Sequence, residues 1–119
     1  MALRVLVAED DASVRLTLNF VLADEGFDVL MASDGAEALE LATSSLPDVI
    51  LLDQMMPKMD GKEVLKALQA QDSTKEIPVL VLSGMARENG DEWPGAHFVG
   101  KPFSPDALIR RIRDVLSLT

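Results

Sequence analysis

With 119 residues and a formal net charge of −9, set by 20 acidic against 11 basic side chains, the chain is sized for one domain, and its charge argues against non-specific nucleic-acid binding. It contains no cysteine, which excludes a disulfide framework and thiolate metal sites. Its longest apolar runs are strand-sized, too short to cross a membrane, and the start Met1-Ala2-Leu3-Arg4 carries no signal-peptide pattern, so a cytoplasmic location is expected.

In chain order, strand-like and helix-like segments alternate. Leu3 to Ala8 is an aliphatic run closed by Glu9-Asp10-Asp11. From Ala12 to Glu25 the apolar residues Val14, Leu18, Val21 and Leu22 fall at helical spacing, and Gly26 supplies a C-terminal stop. Phe27 to Ala32 reads as a second strand, and Ser33 or Asp34 caps a helix over Ala36 to Ser44. Pro47 opens the third strand, whose four consecutive aliphatic residues, Val49 to Leu52, suit a strand buried on both faces and end abruptly on Asp53. Gly61 to Gln71 follows as a helix with Val64, Leu65 and Leu68 on one face. Pro78 to Leu82 is a fourth strand and Phe98-Val99-Gly100 the core of a short fifth. Ser104-Pro105 then caps and starts a last helix that buries Leu108, Ile109, Ile112, Val115 and Leu116. Such alternation implies a parallel sheet with helices on both sides and right-handed crossovers.

Polar residues interrupt the strand ends along one edge of that sheet: Glu9 and Asp10 after the first, Asp53 at the third, Ser83 after the fourth, Lys101-Pro102 after the fifth. Singly, each has an ordinary explanation, because acids and serines cap helices and Lys-Pro is a common loop dipeptide. Together they gather where open α/β sheets bind ligands. Two carboxylates about 4 Å apart repel by roughly 4 kcal/mol at an effective dielectric of 20, and a divalent cation would relieve the strain of three.

The set Glu9-Asp10, Asp53, Ser83 and Lys101-Pro102, with Met56-Pro57 and Asp60-Gly61 after the central aspartate, resembles the receiver domain of two-component response regulators. The likeness covers residues 1–119 as one receiver domain. It implies a flavodoxin-like, doubly wound α/β fold with a five-stranded parallel sheet of order 2-1-3-4-5. It also implies phosphorelay signalling, in which Asp53 accepts a phosphoryl group from a sensor histidine kinase or histidine phosphotransfer protein. Mg²⁺ would be held by Glu9, Asp10, Asp53 and the backbone carbonyl of Met55. Lys101 would pair with Asp53 or the phosphoryl group as a point charge, and Ser83 would bond a phosphoryl oxygen. Ser83 and Phe98 match the residues that shift together when such domains switch. On this resemblance the chain is a phosphoacceptor that assists its own phosphorylation and slow dephosphorylation rather than an enzyme with turnover. Met55 and Met85 stand where some receivers carry polar side chains that position the hydrolytic water, which is why the dephosphorylation is expected to be slow. Its output partner is unspecified, a separate protein or a fused effector domain, with no direct contact to nucleic acid or membrane.

The chain departs from the family between Ser83 and Lys101, where it is about one helical turn short. Gly84 to Gly95 holds three glycines and no apolar stripe, so the fourth helix is expected to be reduced or replaced by a loop, with Trp93 packing as a lid. Elsewhere, His97 is expected just before the fifth strand without a catalytic role, Arg110, Arg111 and Arg113 as a solvated basic face, and Met55, Met56 and Met59 as gap-fillers. The alternative function is a phosphorylation-independent binding module with the same fold. An aspartyl phosphatase would want an Asp-x-Asp pair that Glu9-Asp10-Asp11 does not supply, and Ala8 to Val14 lacks a glycine-rich nucleotide loop.

Overall fold

The computed structural model of the chain describes residues 3–53, 59–83, 95–100 and 104–117. The alternating pattern folds as β1 (Arg4–Ala8), α1 (Ala12–Asp24), β2 (Asp28–Ala32), α2 (Gly35–Ser45), β3 (Val49–Asp53), α3 (Gly61–Gln69), β4 (Val79–Ser83), β5 (His97–Gly100) and α4 (Pro105–Ser117). The five strands form one parallel sheet in the order β2-β1-β3-β4-β5, as expected. Four helices lie among the described residues, which fits a reduced fourth helix of the family pattern. Residues 84–94, and with them Met85 and Trp93, lie outside the described residues.

Strand side chains alternate between the two faces, and each face has its own core. Val5, Val7, Val49, Leu51, Leu80 and Leu82 pack with Leu18 and Leu22 of α1 and with Leu108, Ile109, Ile112 and Val115 of α4. Leu6, Ala8, Ile50, Leu52, Val79 and Val81 pack on the other side with Ala38 and Ala42 of α2 and Val64, Leu65 and Leu68 of α3. All five residues of β3 are buried, as its unbroken apolar run requires. Each fully buried leucine or valine stabilises the fold by about 1.5–3 kcal/mol relative to exposure.

Local chemistry sets the boundaries. Asp11 caps α1, its carboxylate accepting from the amides of Ser13 at 2.9 Å and Val14 at 3.4 Å. Gly26, at φ 93°, ends that helix in the left-handed region open to glycine. Of the two residues offered as the cap of α2, Asp34 fills the position, and Ser33 instead donates its amide to Glu37 at 2.7 Å. Asp60 and Glu63 form a reciprocal capping box on α3. The α3 helix stops at Gln69, two residues before the expected Gln71. There the buried Thr74 donates its hydroxyl to the Leu68 carbonyl at 2.7 Å, taking an acceptor that a continuing helix would use itself.

Two expectations need correction. His97 does not precede the fifth strand but begins it, half-buried and opposite Leu80. The arginines of α4 are not simply solvated: Arg113 bonds Glu25 at 3.1 Å and lies over the Phe27 ring at 5.6 Å, and Arg111 donates to the Phe98 carbonyl at 3.3 Å. Arg110 and Arg113 are nonetheless exposed, as the solvated description requires, and Arg111 is half-buried. Met59 packs partly buried against the α2 and α3 side of the core, as a gap-filler should. Among the described residues, no helix is long and apolar enough to cross a membrane.

Candidate functional site

Parallel register brings the first and third strand ends together. Ala8 pairs with both Ala32 and Leu52, and Asp53, one residue further along β3, pairs with Leu82 of β4. The Glu9 amide extends the ladder by one step, donating to the Ala32 carbonyl at 3.1 Å. Glu9 therefore leaves β1 beside the point where β3 ends on Asp53, and Asp10 follows it into the turn before α1.

The result is a cluster of three carboxylates. One oxygen from each of Glu9, Asp10 and Asp53 can be chosen so that all lie within 4.8 Å of one another. Glu9 is 2% exposed and Asp53 8%, whereas Asp10 faces solvent. Burial withdraws water from two of the three anions, and at this spacing each pair repels by a few kcal/mol at an effective dielectric of about 20. The donor set is hard oxygen throughout, which suits Mg²⁺ or Ca²⁺ rather than a thiolate- or imidazole-seeking metal.

Asp11, the third consecutive acid, stays out of this cluster. Its carboxyl is held below the ordinary carboxylate value chiefly by the Ser13 hydroxyl, then by the Ser13 and Val14 amides, with Arg15 adding a smaller attraction. Arg15, which the sequence did not single out, supports the acidic turn from beneath. One guanidinium nitrogen donates to the Glu9 carbonyl at 2.8 Å and to the Asp10 carbonyl at 3.0 Å. Its only signal in the sequence is a basic residue one turn into the helix that follows the acids.

The remaining expected residues are placed by their strands. The backbone of Ser83 closes β4 opposite Gly100, while its hydroxyl lies outside the described residues. Phe98 sits in β5 opposite Val81, partly buried against the same core that holds Leu6 and Ala8. Met55 and Lys101-Pro102 lie outside the described residues, as do Gln54, Met56 and Pro57. His97, on the same strand as Phe98, has its basicity lowered by burial and by the nearby Arg111 charge.

The sequence profile of the response regulator receiver domain matches residues 5–113. This chain belongs to that family. As a receiver it is 42% identical over 120 residues to the probable transcriptional regulator ycf27 of Guillardia theta, an alignment covering 98% of this chain and 46% of that protein. The chain spans about half the length of the curated relatives it matches, 46–53% among them. Among solved structures it superposes on the chemotaxis protein CheY4 of Vibrio cholerae with a TM-score of 0.90 at 34% identity, covering 97% of this chain and 99% of that one. The receiver domain of the sensor histidine kinase PA1611 from Pseudomonas aeruginosa shares the fold, with a TM-score of 0.91 at 23% identity over 98% of this chain and 99% of that one. That structure holds a magnesium ion coordinated in its active-site cleft.

Proposed function

We propose that residues 1–119 form one receiver that signals by accepting a phosphoryl group on Asp53 from a sensor histidine kinase or histidine phosphotransfer protein. The observation that carries this reading is the convergence of Glu9, Asp10 and Asp53, with carboxylate oxygens within 4.8 Å, at the carboxyl ends of β1 and β3. The hard oxygen donors fit Mg²⁺, and Glu9, Asp10 and Asp53 would hold it, with the Met55 carbonyl as the further ligand that family membership suggests. Bound there, the ion supplies positive charge to the oxygens of the transferring phosphoryl group.

The chain's own residues do the rest. A carboxylate oxygen of Asp53 attacks the donor's phosphorus, forming an acyl phosphate. The bond from phosphorus to the donor's imidazole nitrogen breaks, and its electron pair stays on that nitrogen. The nucleophile is fixed because Asp53 is the last paired residue of a wholly buried strand, with hydrogen-bonded neighbours β1 and β4 on either side. Holding it there removes the cost of orienting it at each encounter. Lys101 would pair with the added charge and Ser83 would bond a phosphoryl oxygen, and Phe98 would repack as the Ser83 hydroxyl moves toward the phosphate. That shift biases two packings of the β4–β5 side and presents the altered face to an output partner or fused effector domain. With Met55 and Met85 both apolar, hydrolysis of the acyl phosphate is slow.

Intact mass after incubation with Mg²⁺ and acetyl phosphate tests the reading directly. The native chain should gain one phosphoryl group, in a Mg²⁺-dependent way, and Asp53→Ala should gain none. A folded native chain that binds Mg²⁺ yet takes no phosphoryl group from acetyl phosphate or from any histidine phosphodonor would favour the phosphorylation-independent binding module.

A further inference from the structure

The turn from β1 to α1 has to aim two adjacent side chains, Glu9 and Asp10, toward the end of a different strand. The β1–β2 ladder reaches only to the Glu9 amide, which donates to Ala32, and α1 begins at Ala12 with Asp11 as its cap. The carbonyls of Glu9 and Asp10 therefore fall between the sheet and the helix, where backbone acceptors need other partners. A single guanidinium nitrogen of Arg15 supplies both bonds, at 2.8 and 3.0 Å. Arg15 is itself anchored in the first turn of α1, its amide donating to the Asp11 carbonyl at 2.9 Å. One donor shared by successive carbonyls fixes the relative tilt of the two peptide planes, and so the direction in which each carboxylate leaves the main chain.

We propose that Arg15 is a positioning residue for the cation site, holding Glu9 and Asp10 in the orientation that lets them bind Mg²⁺ together with Asp53. This rests on the proposed function, because it takes Glu9 and Asp10 as metal ligands. In this role Arg15 is not a ligand; it works through its two bonds to the backbone of the turn.

Two effects of the guanidinium oppose each other, which makes the proposal decidable. As a nearby positive charge it repels a cation, so removing it should tighten Mg²⁺ binding if charge alone mattered. As an orienting group it preorganises two anionic ligands, so removing it should weaken binding, on the order of 10-fold for a group that supports metal ligands from behind. Lysine keeps the charge but not the planar fork, so Arg15→Lys separates the two effects from the other side.

The experiment is a calorimetric Mg²⁺ titration of the native protein, Arg15→Met, Arg15→Lys and Thr17→Val, each first shown to be folded by circular dichroism. Thr17→Val removes a different α1 bond, from its hydroxyl to the Ser13 carbonyl at 3.0 Å, and reports what weakening the helix alone does. Expected are weaker binding by Arg15→Met and by Arg15→Lys, with Thr17→Val matching the native affinity. Unchanged or tighter binding by Arg15→Met would overturn the proposal, as would Thr17→Val weakening binding as much as Arg15→Met. If Arg15→Met does not fold, Arg15→Lys decides: weaker binding supports positioning and native affinity overturns it. A native protein that binds no Mg²⁺ would instead remove the metal reading itself, and this proposal with it.

Discussion

Three acids in a row, Glu9, Asp10 and Asp11, divide between two tasks, and the division turns on where each carbonyl and amide falls at the strand-to-helix turn. Glu9 and Asp10 join Asp53, while Asp11 satisfies the opening amides of α1. The Asp11 carboxyl is lowered from its ordinary value of 3.8 mainly by the Ser13 hydroxyl, so it binds its proton less readily in the folded chain than in the unfolded one. Its contribution to stability is therefore fully present above the unfolded value and is lost as pH falls through the lower folded value. Asp11→Asn keeps a capping oxygen without a titrating group. The stability gap between native protein and Asp11→Asn in urea unfolding should narrow from pH 7 toward pH 3, and a gap constant across that range would show that the ionised cap is not the source. The family resemblance already set Glu9 and Asp10 apart as metal ligands, but the task of Asp11 was not legible in the run of letters. It is written in backbone geometry, as is the role of Arg15, whose partners are main-chain oxygens that carry no sequence signature.

The elements themselves were far more legible, because aliphatic runs and helical stripes report burial directly. Val49 to Leu52 announced a strand buried on both faces, and the last helix buries Leu108, Ile109, Ile112 and Val115 as its spacing requires, while Leu116, expected with them, is only partly buried. What the patterning left open was how elements meet. Gly35, the first residue of α2, illustrates this: a Cβ built there would fall against Met59, 2.6 Å from its Cβ and 2.9 Å from its carbonyl carbon, with the Met59 oxygen nearer still. Glycine is needed for space, since the start of α2 runs against the backbone just before α3. Gly35→Ala gains up to about 1 kcal/mol of helix propensity but forces backbone apart, and overpacking costs about 1–3 kcal/mol. The net change should be a loss of stability in urea unfolding with the m-value unchanged, and equal or greater stability would show that the turn yields easily. The α4 arginines escaped the patterning for a similar reason: a contact such as Arg113 over Phe27 joins residues far apart in sequence. On α1, Leu16 and Phe20 lie opposite the buried stripe and stay 70% and 74% exposed, so the stripe explains which residues are hidden and gives no reason for the size of these two.

For the molecule as a whole, the strand order determines what surrounds the site. The carboxylates sit at the end of β1 and β3, the middle of a sheet whose strands are covered on both sides, so the cluster rests on the most buried part of the fold. The sheet also divides the interior. Leu22 belongs to the core beneath α1 and α4, Leu68 to the core beneath α2 and α3, and both are almost wholly buried. Leucine-to-alanine changes at such positions cost about 2–5 kcal/mol each. The sheet thus behaves as a partition wall between two separately filled rooms: a void opened in one cannot be filled by side chains from the other. Leu22→Ala and Leu68→Ala should therefore sum to within about 0.5 kcal/mol in the double variant, whereas Leu22→Ala with Ile112→Ala, inside one room, should deviate by more. A strong deviation for the cross-sheet pair would mean the wall bends, and that packing lost on one side is felt on the other through β1 and β3, the strands that carry the acids.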